Sequence, residues 1–83
     1  MPMAKPSPSF SGSAELISLG ITIRELRLKA GLSQEAFADQ VGIDRSYIGG
    51  IERGEHNVAL MNLLKIASAL DITLAQLTQK AKL

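Results

Sequence analysis

The chain has 83 residues, of which 46% are hydrophobic and 20% are charged, a length and balance that predict one globular domain and exclude a disordered chain. It has no cysteine, which excludes a disulfide framework and a thiolate metal site and suits the reducing cytoplasm. The formal net charge is only +1, so attraction of an anionic partner would depend on where Lys29, Arg45 and Arg53 are placed rather than on a general basic surface.

The amino-terminal segment, residues 1–13, is rich in proline and serine. We predict that it is a flexible arm, which leaves residues 14–83 as the domain. The arm lacks the apolar stretch of a secretory signal, and no part of the chain approaches the ~20 consecutive apolar residues that cross a bilayer. We therefore expect a cytoplasmic protein without a membrane partner.

A first helix is predicted after this arm, and Gly31 is placed to end it. Two starts remain open, because Thr22 and Glu25 fit a capping box, whereas Ser13 could cap a longer helix that runs through Gly20. One face of the helix carries apolar residues at helical spacing, namely Leu19, Ile23, Leu26 and Ala30.

Residues 34–53 carry the most informative pattern of the chain. They predict two short helices, Gln34 to Val41 and Arg45 to Arg53, with Ser33 and Asp44 as the N-caps. Ala38 is small where the two helices would cross, Gly42 can take a positive φ at the turn, and Gly54 ends the second helix of the pair. The residues that would pack against a core are apolar: Val41, Ile48 and Ile51. These requirements, met together, are typical of a helix-turn-helix.

Two further helices near the carboxyl end make the predicted fold class all-α, a compact domain of five helices. The fourth helix has Ala59 where a capping hydroxyl is expected, whereas the fifth begins with a capping box formed by Thr73 and Gln76. Apolar residues recur at helical intervals in both: Leu60, Leu63, Leu64, Ala67 and Leu70 in the fourth, and Leu74, Leu77 and Ala81 in the fifth.

The third predicted helix has two different sides. Its inner side carries Ile48 and Ile51, and its outer side carries Arg45, Ser46, Gly49 and Gly50. Two glycines inside a helix cost about 1 kcal/mol each relative to alanine. Either they let the helix backbone approach a partner closely, or they are a tolerated weak spot, and both interpretations remain open.

Arg27 and Glu52 are predicted to form a structural ion pair. Arg27 lies four residues after Ile23 on the apolar side of the first helix, and Glu52 lies four after Ile48 on the inner side of the third. Opposite charges on facing apolar stripes should pair, and removing one partner of a buried pair costs about 3–5 kcal/mol. We therefore assign both residues to fixing the third helix in place.

The sequence gives little support to catalysis. His56 is the only histidine, and we predict that it is a solvated loop residue. No histidine dyad, zinc triad or Ser-His-Asp set can then be assembled, and no phosphate-cradling glycine loop appears. We expect no enzymatic activity, metal, cofactor or small-molecule ligand.

The segment from Leu19 to Leu77 resembles the lambda-repressor-like, Cro/xenobiotic-response-element type of helix-turn-helix family. The likeness is carried by IRELRLKAGLSQEAFADQVGIDRSYIGGIERG and by LLKIASALDIT after it, with GLSQ, VGI, RSYI and ERG in the family's order and spacing. The part DRSYIGGIERG is also similar to the controller proteins of restriction-modification systems. The resemblance implies a transcriptional regulator that binds double-stranded DNA with its third helix in the major groove, and it implies the same Arg27–Glu52 pair.

The candidate DNA contacts lie on the second and third helices and in the loop after them. Arg45 is predicted to contact a base or a phosphate, since an arginine that holds guanine O6 and N7 gives about 1–3 kcal/mol of discrimination. Gln34 opens a helix whose free amides favour a phosphate, and Tyr47 either reaches a phosphate or packs beside Phe37. Direct readout would be confined to the first turn of the third helix. The predicted DNA-binding residues are Gln34, Asp44, Arg45, Ser46, Tyr47, Gly49, Gly50, Arg53 and Asn57.

One recognition helix covers only half of a DNA site, so we expect a homodimer on a near-palindromic operator, with two such helices about 34 Å apart. The candidate interface is apolar surface at the carboxyl end, which could instead cap the core: Ile72, Leu74, Leu77 and Leu83.

Three functions remain open: a sequence-specific transcriptional regulator, the related controller of a restriction-modification operon or DNA-binding antitoxin, and a protein-interaction adaptor that does not bind DNA. The arm is either an inert tail or a minor-groove contact through Lys5.

Overall fold

The computed structural model describes residues 10–83, which form five α-helices and contain no strand. The predicted all-α class is confirmed. The helices are α1 (Ala14–Lys29), α2 (Gln34–Val41), α3 (Arg45–Glu52), α4 (Leu60–Ala69) and α5 (Leu74–Lys80). The bounds predicted for the second helix are confirmed, and α3 ends at Glu52, one residue earlier than predicted.

The predicted arm falls largely outside the described residues, which begin at Phe10. Lys5, and with it the predicted minor-groove contact, is therefore not placed. Residues 10–13 form a turn at the end of α3, because the Gly12 amide donates a 2.8 Å hydrogen bond to the Gly54 carbonyl. This last part of the arm belongs to the folded domain.

Helix α1 follows the longer of its two predicted courses. The Ser13 hydroxyl accepts a 3.3 Å hydrogen bond from the Leu16 amide, so the helix begins directly after Ser13. It then runs through Gly20, where a Cβ would lie 2.5 Å from the carbonyl oxygen of Glu52. Only glycine lets α1 and α3 cross at this distance, because the obstructing atom belongs to the backbone.

The turn between α2 and α3 has the predicted geometry. Gly42 takes the left-handed conformation at φ 82°, and its amide donates a 2.8 Å hydrogen bond to the Ala38 carbonyl. The Ser33 hydroxyl caps α2 by accepting a 3.0 Å hydrogen bond from the Ala36 amide. Asp44 is the N-cap of α3 by position only, since its side chain makes no capping hydrogen bond.

Side chains from all five helices meet in one core, in which the largest fully buried residues are Phe37, Ile23, Ile48, Ile51, Ile66 and Leu77. Helix α4 turns only part of its predicted apolar set inward: Ala67 is buried and Leu63 and Leu70 pack against the core, but Leu60 and Leu64 do not. Ile66 and Ala67 are buried, whereas Leu60 and Leu64 remain 60% and 41% exposed. The polar residues of α4 form only a narrow stripe of Asn62, Lys65 and Ser68, so apolar residues extend beyond the side that the core can cover.

Helix α5 begins with the predicted capping box. The Gln76 amide donates a 3.0 Å hydrogen bond to the Thr73 hydroxyl, and the Thr73 amide donates a 2.9 Å hydrogen bond to the Gln76 side chain. No single helix among residues 10–83 is long and apolar enough to span a membrane, and α4 with α5 reaches that length and hydropathy only across an 88° bend.

Candidate nucleic-acid interface

Helix α3 is buried along most of its length and reaches solvent mainly at its amino end. Ile48 and Ile51 on its inner side are 0% and 2% exposed, whereas Arg45 at its amino end is exposed. The start of α2 lies beside this exposed end, because Arg45 Nη1 donates a 3.4 Å hydrogen bond to Gln34 Oε1. The helix-turn-helix therefore brings the first residues of both short helices onto one surface.

A buried ion pair fixes α3 on α1. Arg27 Nε donates a 2.7 Å hydrogen bond to Glu52 Oε2, and Arg27 Nη2 donates one of 3.0 Å to Glu52 Oε1. The two side chains are 6% and 2% exposed, and the pKa of Arg27 is raised, chiefly by its hydrogen bond to Glu52. The predicted ion pair is confirmed, and its bidentate form is the strongest geometry that an arginine and a carboxylate can adopt.

Gln34 links this buried pair to the exposed arginine. Its Nε2 donates a 3.1 Å hydrogen bond to Glu52 Oε1, which leaves its Oε1 to accept the bond from Arg45. Arg27, Glu52, Gln34 and Arg45 thus form one hydrogen-bonded path from the core to the surface. The outermost bond, at 3.4 Å, is long for a hydrogen bond, so Arg45 is directed without being rigidly held.

The two glycines of α3 are both buried by side chains of the protein itself. A Cβ at Gly50 would lie 2.6 Å from His56 Cδ2. A Cβ at Gly49 would lie 3.1 Å from Arg53 Nη1 and 3.7 Å from Gln34 Oε1. The prediction that Gly50 lies on an open, groove-facing side is therefore wrong, because the space left by its missing side chain is filled by a ring from the loop after α3.

His56 is that ring, and it is only 6% exposed. The prediction of a solvated loop residue is wrong. His56 packs edge to face against Tyr47, with ring centroids 4.7 Å apart and planes at 62°. The sequence pattern predicts Phe37 as a neighbour of Tyr47, whereas the contact with His56 could not be predicted, because a short polar loop does not show which helix it folds back on. Gly50 was the available signal, since the side chain that it lacks leaves room for a ring.

Arg53, just after α3, extends the polar surface at its carboxyl end. Arg53 Nε donates a 2.7 Å hydrogen bond to Glu55 Oε2, and Nη2 donates one of 3.3 Å to Glu55 Oε1. Among the other predicted DNA contacts, Asp44 and Asn57 are exposed, and Ser46 and Tyr47 are half-buried. The structure thus gathers Gln34, Arg45 and Arg53 around Gly49.

The four predicted interface residues do not form one patch. Leu77 is 0% exposed, so assigning it to an interface is wrong, and it belongs to the core. Ile72 and Leu74 are half-buried and line an open groove between α4 and α5 together with Leu64. Leu83 is 55% exposed but lies near Ala14 at the start of α1, on a separate surface.

A family model described as Helix-turn-helix matches residues 23–77. The chain belongs to this family. Its type is the Cro/xenobiotic-response-element type that the sequence resembles. Among residues 10–83, no cluster of histidine, aspartate and glutamate is placed to hold a metal ion.

Two curated relatives and one solved structure show where in the family the chain lies. Control protein C.MunI of a Mycoplasma species is 48% identical over 62 residues, which cover 74% of this chain and 84% of that protein. Control protein C.BamHI of Bacillus amyloliquefaciens is 44% identical over 54 residues, which cover 64% and 67%. The restriction-modification controller protein C.AhdI from Aeromonas hydrophila superposes with a TM-score of 0.75 at 55% identity, covering 77% of this chain and 97% of that one.

The family match and these relatives make the chain a DNA-binding transcriptional regulator of the helix-turn-helix type, as predicted. The surface formed by α3 and the start of α2 is accordingly its candidate interface with nucleic acid.

Proposed function

We propose that this chain is the controller of a restriction-modification operon and that it binds a near-palindromic operator as a homodimer. The observation that carries the proposal is the position of Arg45. It is exposed at the amino end of α3 and directed by a path of hydrogen bonds that ends in a buried ion pair. Relatives named as control proteins support the choice of operon. Like other regulators of this type, the protein would act in the cytoplasm.

The amino end of α3 would enter the major groove. An arginine there can donate two hydrogen bonds to one guanine, which reads that base pair uniquely. Gln34, at the start of α2, would hold a phosphate with its side chain and with the free amides of the helix end. Since the net charge is only +1, non-specific attraction should be weak and the directed contacts should dominate.

The groove between α4 and α5 is the surface we propose for the second copy of the chain. Leu64 on α4 lines this groove and is 41% exposed. Ile72 and Leu74 lie beside Leu64 across the groove. A two-fold axis through this groove would bury the apolar side chains of both copies against each other and would supply the two recognition helices that a palindrome needs.

Selection of bound sequences from a random duplex library tests the proposal. We expect an enriched near-palindrome whose half-sites are about 10 bp apart, or a multiple of that spacing. Enrichment of a single unrepeated half-site would contradict the dimer, and a library that shows no enrichment would contradict the regulator.

Measuring the affinity for the selected duplex at several salt concentrations distinguishes a DNA-binding regulator from a protein-interaction adaptor that does not bind DNA. For a DNA-binding regulator, the logarithm of the affinity should fall linearly with the logarithm of the salt concentration, because phosphate contacts release counterions. An adaptor would form no DNA complex to titrate.

A further inference from the structure

The Arg53 guanidinium is held from one edge and open at the other. Two of the five N–H donors of an arginine, on Nε and Nη2, bond to the Glu55 carboxylate. Both hydrogens of Nη1 and one of Nη2 remain for a partner. The Arg53 side chain is 60% exposed and that of Glu55 32% exposed, so the free edge is accessible to a large ligand.

Gly49 provides the space that the guanidinium occupies. A Cβ at Gly49 would lie only 3.1 Å from Arg53 Nη1, so a side chain at this position would displace the arginine. The Gln34 side chain, which accepts a hydrogen bond from Arg45, lies 3.7 Å from the same point. Arg53 and the Gln34 side chain that accepts a bond from Arg45 therefore both lie close to Gly49, and each arginine has donors available.

We propose that Glu55 is a positioning residue that holds Arg53 across Gly49, and that Arg53 is thereby a second specificity-determining contact on DNA. This inference rests on the proposed function and adds Glu55 and Gly49 to the residues that shape its readout. A bidentate carboxylate fixes the plane of a guanidinium, and a fixed plane is what recognition of a base edge requires.

The ionisation of Glu55 also supports its pairing with Arg53. The pKa of Glu55 is lowered, chiefly by the hydrogen bond from Arg53, and the pKa of Arg53 is raised chiefly by the same bond. The Glu55 carboxylate therefore stays ionised to a lower pH than an ordinary glutamate does, and the pair is charged at neutral pH. Because exposed ion pairs contribute little to stability, we assign the pair to orientation rather than to holding the fold.

The competing explanation is that Glu55 merely neutralises Arg53. Under that explanation, loss of the carboxylate would strengthen binding to every DNA sequence alike, as removal of any nearby negative charge does. Under the positioning role, Arg53 keeps its charge but loses its orientation, so the selected sequence loses affinity while other sequences do not. The ratio of the two affinities distinguishes the explanations.

The experiment compares Glu55→Gln with the matched control Glu25→Gln, which removes the same charge from an exposed position on α1. Affinities are measured for the duplex that the wild-type chain selects and for a scrambled duplex of equal composition. We expect Glu55→Gln to lower the ratio of selected to scrambled affinity by about tenfold and Glu25→Gln to leave it unchanged. Equal ratios for the two variants would overturn the inference while leaving the proposed function intact.

Gly49→Ala provides an independent test, because alanine is the better helix former and should not lower the melting temperature. We expect the same loss of selectivity with an unchanged or higher melting temperature. Unchanged selectivity in Gly49→Ala would also overturn the inference. A wild-type chain that selects no sequence at all would overturn the proposed function and this inference with it.

Discussion

Arg45 lies at the outer end of a hydrogen-bonded path that begins at Arg27 in the core. Each intermediate residue is bonded on both sides, Glu52 to Arg27 and Gln34, and Gln34 to Glu52 and Arg45. An exposed arginine normally samples many rotamers, and ordering it on binding costs free energy. The path reduces that cost by directing the side chain before DNA arrives.

Arg45→Ala should therefore impair recognition without impairing the fold. Loss of a bidentate base contact would weaken the selected duplex by about 1–3 kcal/mol and random DNA by much less. The melting temperature should stay near that of the wild type, since Arg45 is exposed. Fluorescence anisotropy on both duplexes measures the effect, with Arg24→Ala, an exposed arginine on α1, as the control. Equal losses on both duplexes would show that Arg45 contacts only phosphate.

Glu52→Ala should act on stability. It leaves the buried Arg27 guanidinium without its counter-charge, which we expect to cost about 3–5 kcal/mol of the free energy of unfolding. Chemical denaturation monitored by circular dichroism measures this loss. The control is Glu25→Ala, which removes a solvent-exposed carboxylate and should change stability little. A Glu52→Ala variant as stable as the wild type would contradict a structural role for the pair.

At the scale of elements, the two glycines of α3 have different neighbours although they are adjacent in sequence. Gly50 makes room for the buried His56 ring, and Gly49 makes room for the exposed Arg53 guanidinium. Helix propensity alone treats both as equal weak points. Their common cause is that other side chains of the same chain fold back over α3 and need the volume.

The role of Gly50 predicts that Gly50→Ala lowers stability when His56 is present and raises it when the His56 ring is removed. In the wild type, Gly50→Ala would force a methyl group against His56 Cδ2, 2.6 Å away, and overpacking of this kind costs about 1–3 kcal/mol. In a His56→Ala background the space is open, and the same change should stabilise α3 by up to about 1 kcal/mol through helix propensity. Denaturation of the four proteins of this cycle measures the coupling. The same sign in both backgrounds would contradict the packing role.

Much of the element pattern could be predicted because it depends on local chemistry. The caps at Ser33 and Thr73 and the positive φ at Gly42 follow from the needs of adjacent backbone groups. The burial of His56 and the outward orientation of Leu64 could not be predicted, because both depend on which side chains a distant segment presents. The Arg27–Glu52 pair was the exception, since two apolar stripes each carried a single charge of opposite sign.

At the scale of the whole molecule, the apolar groove between α4 and α5 connects the fold to dimerisation. Leu64 lies in this groove with Ile72 and Leu74, and it contributes little to the monomer core at 41% exposure. Placing a charge there would leave the monomer intact but would be costly once it is buried between two copies.

Leu64→Lys should therefore shift the chain from dimer to monomer in analytical ultracentrifugation, while its circular dichroism spectrum stays helical. The matched control is Leu28→Lys on α1, where leucine is 53% exposed outside this groove. We expect Leu28→Lys to remain dimeric. A Leu64→Lys chain that sediments as the wild type does would place the interface elsewhere, with the surface around Leu83 as the next candidate.

The most direct test of the account is an NMR titration of isotope-labelled protein with the duplex that it selects. The central claim is that DNA is bound by the exposed amino end of α3, by Arg53 just after this helix and by the start of α2. We predict the largest amide shift changes at residues 44–53 and at Gln34, with small changes along α1. Large changes on α1 or α5 with the amides of α3 unmoved would contradict the claim.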